Sequence, residues 1–288
     1  MRAMLRHTRL SPSTMLFLAI CCLVLLVNLP SLFTGLLGSA SSSSLRIHPS
    51  GICSHQGRLS ATPKHGPVSQ ATLFSSIARL FSKGVQCFDL DLSPLEGGGS
   101  AVAHPVALAA AGGAAAEPAD FGALFDFLDT PLLARSARLT LELKKPLFES
   151  ARVIEALFAA AQKAHMLSRL VVLGIPRGTP VPTGLHIGLP IRDDQDCSLE
   201  GLSASVCTVM PSRVCWERAA VKEKIVAWAR ALAPGASATN ALAGEVHVWP
   251  IDSPWQAKEL LAEGSALGLR LKVVSNDVPG LLGGESLD

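Results

Sequence analysis

The chain has 288 residues, 49% of them hydrophobic and 17% charged, so it carries enough apolar material for a sizeable core. Its net charge of +2 is not gathered into a basic stripe, which excludes nucleic acid as an expected partner. The sequence contains no Cys-x-x-C pair, so the usual sequence signs of zinc binding or dithiol redox chemistry are missing.

An apolar segment without charges, residues 15–38, follows a basic start that contains Arg2, Arg6 and Arg9. The apolar region of a cleaved signal peptide is about 7 to 15 residues long, whereas a spanning helix needs about 20. Because the segment is closer to the second length, we expect a signal anchor. A cleaved signal peptide is the alternative, since Gly38-Ser39-Ala40 is an acceptable cleavage site.

The charges around this segment predict its orientation. Basic residues stay on the cytosolic side of a membrane, so residues 1–14 would be cytosolic and the chain beyond residues 15–38 lumenal or extracellular. Residues 39–50 would form a serine-rich stem. We therefore expect a single-pass membrane protein of the secretory pathway, or a secreted protein if the segment is cleaved.

Five of the seven cysteines lie beyond the apolar segment, and this number is odd. At least one thiol must therefore stay free or pair outside the chain. A lumenal compartment permits a bridge within the set Cys197, Cys207 and Cys215. Buried reduced cysteines are the alternative for the same residues.

Short apolar runs alternate with amphipathic stretches through residues 51–288, which is typical of repeated βα units. Eight strands are predicted, at 51–54, 87–92, 139–143, 170–175, 185–189, 204–209, 245–251 and 271–275. Helices are predicted at 69–81, 119–128, 150–165, 215–232 and 254–267, and a low-complexity loop with a short strand at 97–116. We predict an α/β fold, a (β/α)8 TIM barrel, over residues 51–288. A doubly wound open sheet is the alternative, because periodicity alone does not close a barrel.

Polar residues end several of the predicted strands, and in such barrels chemistry gathers at the C-terminal ends of the strands. His55 ends the first strand in Ser54-His55-Gln56-Gly57, although a single histidine there is more often structural than catalytic. Asp89 and Asp91 are two residues apart on the second strand and share one face. Their mutual repulsion favours a divalent cation with oxygen ligands, Mg²⁺ or Ca²⁺, unless the pair faces solvent on an edge strand.

The third and seventh predicted strands carry further candidates. Glu142 and Lys144 share one face of Leu139-Thr140-Leu141-Glu142-Leu143-Lys144, which suits a metal ligand beside a phosphate contact. The same spacing also suits an ordinary ion pair. Trp249 ends the seventh strand, where it can line a pocket or belong to the core.

Taken in order, these residues resemble the motifs of the glycerophosphodiester phosphodiesterase family. The tripeptide His55-Gln56-Gly57 is similar to the family's opening His-Arg-Gly, and Asp89-Leu90-Asp91 is similar to its Glu-x-Asp metal pair. The segment Ala103-His104-Pro105 resembles the part that carries a second catalytic histidine, although the family has His-Asp there. Glu142 takes the place of the third metal ligand, and Ser275-Asn276-Asp277-Val278-Pro279 resembles the closing motif.

The sequence also departs from the family pattern. Gln56 stands where the family has a phosphate-binding Arg, with Arg58 and Lys64 as candidate substitutes. Residues 68–72, Val-Ser-Gln-Ala-Thr, replace the expected Glu-Asn-Thr, and Asp89 is one methylene shorter than the usual Glu. These changes predict a divergent member with an altered substrate, or one that has lost activity.

The resemblance implies a metal-dependent hydrolysis of a phosphodiester, most naturally a glycerophosphodiester or a lysophospholipid. His55 and His104 would exchange protons, and Asp89, Asp91 and Glu142 would hold one divalent cation, Mg²⁺ or Ca²⁺. The residues expected to contact substrate or phosphate are Lys144, Arg58, Gln56 and Trp249. An inactive barrel that binds a phosphate-bearing lipid or a protein partner is the main alternative, and a phosphatidylinositol-specific or sphingomyelin-cleaving phospholipase is a third.

Overall fold

The computed structural model describes residues 47–57, 59, 69–95, 99–110, 117–134, 136–145, 147, 150–176, 178–232 and 242–283. Its strands are β1 Ile52–His55, β2 Cys87–Pro94, β3 Ser100–Val102, β4 Arg138–Leu143, β5 Leu170–Leu173, β6 His186–Ile191, β7 Val206–Pro211, β8 Glu245–Val248 and β9 Arg270–Ser275. Its α-helices are α1 Gln70–Ser82, α2 Pro105–Ala110, α3 Phe121–Leu128, α4 Ala151–Lys163, α5 Arg213–Glu217, α6 Ala219–Leu232, α7 Pro254–Ala266 and α8 Val278–Leu281.

Eight of these strands pair in parallel and close a barrel. The order runs β1-β9-β8-β7-β6-β5-β4-β2, and a further pairing of β1 with β2 joins the two ends. This closure confirms the predicted TIM barrel and excludes the doubly wound open sheet, whose end strands would each lack a neighbour. The remaining strand, β3, pairs antiparallel with the C-terminal half of β2.

The side chains along each strand alternate between two apolar layers, one between the barrel and its helices and one inside the barrel. They do so because successive side chains of a strand point to opposite sides of the sheet. On β2, Phe88 and Leu90 belong to the large core that also contains helix residues such as Leu73 and Ile77 of α1. Cys87 belongs instead to a small cluster that fills the barrel interior. Its other buried members are Cys53, Val171, Leu173, Cys207, Met210, Leu242 and Val274.

Local signals explain where two of the helices start. The Ser69 hydroxyl accepts a hydrogen bond from the Thr72 amide at the start of α1, and the Asp120 carboxylate accepts one from the Ala123 amide at the start of α3. Both satisfy backbone donors that have no partner within the helix. The two amphipathic helices that follow the caps turn their apolar faces onto the barrel.

All eight predicted barrel strands are present, with ends displaced by up to three residues. The helix predicted at 215–232 is instead two helices, α5 and α6, because Arg218 adopts an extended conformation between them. The short helices α2 and α8 were not predicted. The predicted loop at 97–116 contains β3, as expected, and α2; its residues 97–98 and 111–116 lie outside the described part.

Two disulfides are present in the described part of the chain. The Cys197–Cys215 bridge confirms one of the expectations for that set of cysteines, and Cys207 is a buried free thiol. The second bridge, Cys53–Cys87, was not predicted, because only the register of β1 against β2 brings these two residues opposite each other.

Among the residues described, no helix is both long and apolar enough to cross a membrane. The predicted anchor at residues 15–38 lies outside the described residues, as do residues 1–14 and most of the stem. The orientation and localisation inferred from them therefore remain predictions.

Candidate active site

The C-terminal ends of β1, β2 and β4 bring the predicted site residues together. In the register of these strands His55 lies opposite Asp89, and Asp91 lies opposite Glu142. Side chains at paired positions of neighbouring strands point to the same side of the sheet. The histidine and all three carboxylates therefore line one mouth of the barrel, with Lys144 directly after the end of β4.

His55 is held in a defined orientation by residues at the end of β9. Its Nδ1 lies 2.8 Å from Asn276 Oδ1, and Asn276 Nδ2 lies 3.4 Å from Asp252 Oδ2. Asp252 Oδ1 also accepts a hydrogen bond of 2.8 Å from the backbone N–H of Asn276. Because the side-chain oxygen of Asn276 can only accept, Nδ1 of His55 carries a proton, and in the neutral ring Nε2 presents a lone pair. That Nε2 lies 3.7 Å from Asp89 Oδ2.

Cationic and polar side chains neutralise two of the three carboxylates. Lys144 Nζ lies 2.9 Å from Asp91 Oδ1 and 3.0 Å from Glu142 Oε2. Arg192, at the end of β6, pairs with the other oxygen of Glu142, and Gln56 donates to Asp91 Oδ2 at 3.3 Å. Burial acts to lower the pKa of Lys144, but the charges and hydrogen bonds of Asp91 and Glu142 outweigh it and raise that pKa. Lys144 is therefore a cation at neutral pH.

Asp89 is the carboxylate with an unsatisfied atom. Its Oδ1 is buried and has no hydrogen-bond partner among the described residues. Burial raises the pKa of Asp89 well above its usual range, and the nearby charges of Asp91 and Glu142 raise it further, against the smaller effects of Lys144 and Arg192. A positive charge beside Oδ1 would relieve both the repulsion and the missing contact.

The donor set at the mouth fits a hard divalent cation in its chemistry, since Mg²⁺ and Ca²⁺ prefer carboxylate oxygens and Asp89 Oδ1 is unpartnered. The three carboxylates are nevertheless not gathered around one point. In the described part of the chain, the only three potential ligands whose donor atoms all lie within 4.8 Å of one another are Cys53, Cys87 and His247. A cation at Asp91 and Glu142 would compete with the Lys144 ammonium for the same oxygens.

His104 is the second residue after the end of β3. One edge of β2 pairs with β4, and its other edge is shared by β1 and β3. On this shared edge β1 pairs with the N-terminal residues of β2, and β3 pairs with the C-terminal residues. The backbone that leads from β3 to His104 therefore runs along this edge of β2 in the direction of the end of β1. Its Nδ1 accepts a hydrogen bond of 3.2 Å from the Val106 amide, so the neutral ring carries its proton on Nε2.

Arg192 is one of the residues at this mouth for which the sequence predicted no role. Arg192 lies between Glu142, with which it forms an ion pair, and Trp249, whose ring centre is 5.8 Å from the guanidinium carbon. Trp249 Nε1 is buried and has no acceptor among the described residues. Next to this pair is a cleft of about 660 Å³ whose polar lining residues are Glu142, Lys144, Lys145, Arg192, Asp194 and Gln195.

Most of the predicted site residues therefore converge on this mouth. Of the predicted phosphate contacts, Lys144, Gln56 and Trp249 border it, whereas Arg58 and Lys64 lie outside the described residues. Asn276 is part of the closing motif, but the sequence predicted no role for its side chain. No role was predicted for Asp252 or Arg192 either. Arg192 does follow a predicted strand, so its position at a strand end was a signal that could have identified it.

No protein-family model matches the chain, and no curated protein does. Among solved structures, the chain is similar to a candidate glycerophosphodiester phosphodiesterase from Galdieria sulphuraria, with a TM-score of 0.54 and 16% identity over 80% of this chain and 95% of that one. It is also similar to a candidate glycerophosphoryl diester phosphodiesterase from Silicibacter pomeroyi DSS-3, with a TM-score of 0.52 and 15% identity over 83% and 94% of the two chains. At these identities the likeness is one of fold, and it confirms the barrel type that the motifs predicted.

Proposed function

We propose that the chain is a divergent glycerophosphodiester phosphodiesterase that hydrolyses a phosphodiester at the mouth formed by β1, β2 and β4. The observation that carries the proposal is the orientation of His55. A histidine fixed by Asn276, with a lone pair on Nε2 next to a group of carboxylates and cations, is equipped for proton transfer beside an anionic substrate.

The two histidines have complementary tautomers. His55 holds its proton on Nδ1 and can accept one at Nε2, so it takes the proton from the attacking hydroxyl group. His104 would give its Nε2 proton to the departing alkoxide from the protonated imidazolium form, which needs a proton on Nδ1 in place of the hydrogen bond from the Val106 amide. The P–O bond to the leaving group breaks as the new P–O bond forms, which yields a phosphomonoester and an alcohol when water is the final nucleophile.

Two cations and an indole would bind the phosphate. Lys144 and Arg192 carry positive charge at the mouth, and Trp249 offers an N–H that has no acceptor among the described residues. Arg192 would take over the role of the Arg that Gln56 replaces. Charged donors of this kind stabilise the charge that develops on the phosphoryl oxygens.

Asp89, Asp91 and Glu142 would hold one divalent cation, Mg²⁺ or Ca²⁺. When bound, such an ion polarises a phosphoryl oxygen and lowers the pKa of a hydroxyl group. Lys144 would then exchange its contacts with Asp91 and Glu142 for contacts with the substrate. Glycerophosphodiesters and lysophospholipids are the proposed substrates.

The proposed location follows from the N-terminal segment. Residues 15–38 would anchor the chain in a membrane of the secretory pathway, with residues 51–288 lumenal or extracellular, and cleavage would give a secreted protein. The Cys197–Cys215 bridge supports an oxidising compartment.

A second candidate function is a barrel that binds a phosphate-bearing lipid or a protein partner without turnover. The contacts of Lys144 with both Asp91 and Glu142 favour it, because an internal cation can replace a metal ion in neutralising these carboxylates. Both candidates place phosphate at the same mouth, so only turnover separates them.

The test measures turnover by the full chain in mild detergent, on glycerophosphocholine and on lysophosphatidylcholine. Each substrate is supplied with Mg²⁺, with Ca²⁺, or with a chelator, and phosphomonoester release is followed. His55→Ala is compared with His165→Asn, because His165 is an exposed histidine of positive φ remote from the mouth, and asparagine tolerates that conformation.

The proposal predicts metal-dependent release that His55→Ala abolishes and His165→Asn leaves unchanged. Phosphomonoester release that continues in the presence of the chelator would support hydrolysis without a bound divalent cation. Lys144 would then neutralise the carboxylates in place of the metal ion. A folded chain that binds either substrate without turnover under any condition would favour the binding function instead.

A further inference from the structure

A second group of potential ligands lies inside the barrel, below the mouth. Cys53 and Cys87 face each other in the register of β1 and β2, and His247 Nδ1 lies 4.0 Å from Cys53 Sγ. All three residues are at most 2% exposed. Their donor atoms lie within 4.8 Å of one another, which no other three potential ligands among the described residues achieve.

The other nitrogen of His247 is already engaged. Nε2 lies 3.2 Å from Glu245 Oε2, and Glu245 is held in turn by Arg138. Because a carboxylate can only accept, the neutral ring carries its proton on Nε2 and turns a bare Nδ1 lone pair toward the sulfur atoms. Metal-binding histidines usually donate their other ring N–H to a carboxylate in this way, which fixes the ring and leaves the free nitrogen for the metal.

A disulfide does not satisfy this lone pair. With Cys53 and Cys87 joined, neither sulfur has a proton to donate, and Cys53 Sγ is the contact that the described residues provide for His247 Nδ1. A buried acceptor without a donor is unfavourable, because the hydrogen bond that it made to water is lost on folding. The arrangement of His247 and Glu245 therefore matches a different state of the two cysteines.

We propose that in the thiol form of the protein Cys53, Cys87 and His247 bind a thiophilic divalent cation, with Zn²⁺ as the best match. Two thiolates and one imidazole suit Zn²⁺, whereas Mg²⁺ and Ca²⁺ require oxygen ligands, so the site differs in chemistry from the carboxylates at the mouth. It does not depend on the proposed phosphodiesterase activity.

Metal binding and the disulfide exclude each other because they use the same sulfur atoms. On zinc binding each thiol releases its proton to solvent and no electron moves. Formation of the disulfide removes two electrons and two protons from the same pair, and these pass to a thiol–disulfide oxidant. Cys53 and Cys87 precede His55 and Asp89 by two residues on their strands, so either state ties β1 to β2 directly below the mouth.

The test is the zinc content of the full chain made in two ways. One preparation is synthesised with Zn²⁺ and a phosphine reductant, and the other with Zn²⁺ and a disulfide oxidant. After gel filtration, zinc is measured by plasma mass spectrometry, and Co²⁺ replaces zinc in a parallel sample to detect thiolate-to-metal charge transfer. We expect a single tightly bound zinc per reduced chain and none in the oxidised chain.

His247→Ala separates the metal site from the disulfide. It should lose the zinc and the charge-transfer band while still forming the Cys53–Cys87 bridge under oxidation, as mapped by peptide mass spectrometry. Glu245→Gln should weaken zinc binding about 10- to 100-fold. The matched control replaces the other pair, Cys197→Ser with Cys215→Ser, and should keep the zinc.

The reduced wild-type chain alone can overturn the proposal, since a folded chain without zinc, judged by circular dichroism, contradicts it. Zinc that persists in folded His247→Ala, or that disappears when Cys197 and Cys215 are replaced, also contradicts it. Phosphodiesterase activity is not a readout here, so the outcome is independent of that assignment.

Discussion

Arg192 is the residue on which phosphate binding depends most in the proposed site, because the usual Arg position holds Gln56. Loss of a charged hydrogen bond should lower kcat/KM of Arg192→Ala by about 10- to 150-fold, mainly through KM. Arg192→Lys should recover only part of the loss, since a lysine cannot make the same forked contact.

A compensating change makes this prediction specific. Gln56 already reaches Asp91 from the end of β1, so Gln56→Arg would place a guanidinium at the same mouth. Added to Arg192→Ala, it should restore part of kcat/KM, whereas Arg230→Ala, an exposed arginine on α6, should have no effect. Unchanged kinetics in Arg192→Ala would contradict the assignment.

Asn276 is a positioning residue that acts through His55. Asn276→Ala removes the acceptor of the Nδ1 proton, so kcat should fall by about 10- to 100-fold, less than the 10²- to 10⁴-fold typical of losing an acid–base group. KM and the melting temperature should change little. A rise in KM with kcat intact would indicate that Asn276 binds substrate rather than orienting His55.

At the scale of elements, β6 depends on a residue without a side chain. A Cβ on Gly188 would lie 2.4 Å from Leu173 Cδ2 and 2.9 Å from Val171 Cγ1, in the barrel interior. Gly188→Ala should lower the free energy of unfolding by about 1–3 kcal/mol in denaturant titration. Gly122→Ala on α3 would meet only the Asp120 carboxylate, at 3.2 Å, so its loss should be smaller than that of Gly188→Ala, and equal losses in both variants would refute the steric explanation.

Most of the strands and helices could be predicted from the sequence. Strands such as β5 are short apolar runs, and amphipathic helices such as α4 show a clear period, so local pattern was sufficient. The break at Arg218 between α5 and α6 has no comparable local signal, because neither glycine nor proline marks it. Likewise, α2 falls in an alanine-rich stretch whose composition resembles a loop.

The site could be predicted only where its chemistry is local to a strand end. His55, Asp89 and Glu142 each follow an apolar run and are ordered along the chain, so a single sequence reveals them. Arg192 contacts Glu142 across 50 residues, and Asn276 contacts His55 across 221. Contacts of that range exist only after the barrel has closed, which local pattern does not encode.

At the scale of the whole molecule, acid stability should depend on a buried carboxylate at the start of β8. Burial acts to raise the pKa of Glu245, but His247, Lys272 and Arg138 together lower it to about 2, below the ordinary value of 4.5. A depressed folded-state pKa stabilises the protein above pH 4.5, and this contribution is lost as the pH falls toward about 2.

Glu245→Gln should therefore lower the free energy of unfolding at neutral pH by at most about 3 kcal/mol. The difference from wild type should shrink as the pH approaches about 2, where the native carboxylate also becomes neutral. Glu259→Gln, an exposed change on α7, should stay within about 0.5 kcal/mol at every pH. A loss in Glu245→Gln that is the same at all pH values would exclude the electrostatic explanation.

The division of labour between His55 and His104 is the central claim, and the leaving group tests it most directly. Activity of wild type, His55→Ala and His104→Ala would be measured on an alkyl glycerophosphodiester and on its nitrophenyl counterpart, whose leaving group needs no proton. We predict that His55→Ala loses about 10²- to 10⁴-fold on both substrates, and that His104→Ala loses a similar factor on the alkyl diester only. Full activity of His55→Ala on either substrate, or equal losses on both in His104→Ala, would contradict the account.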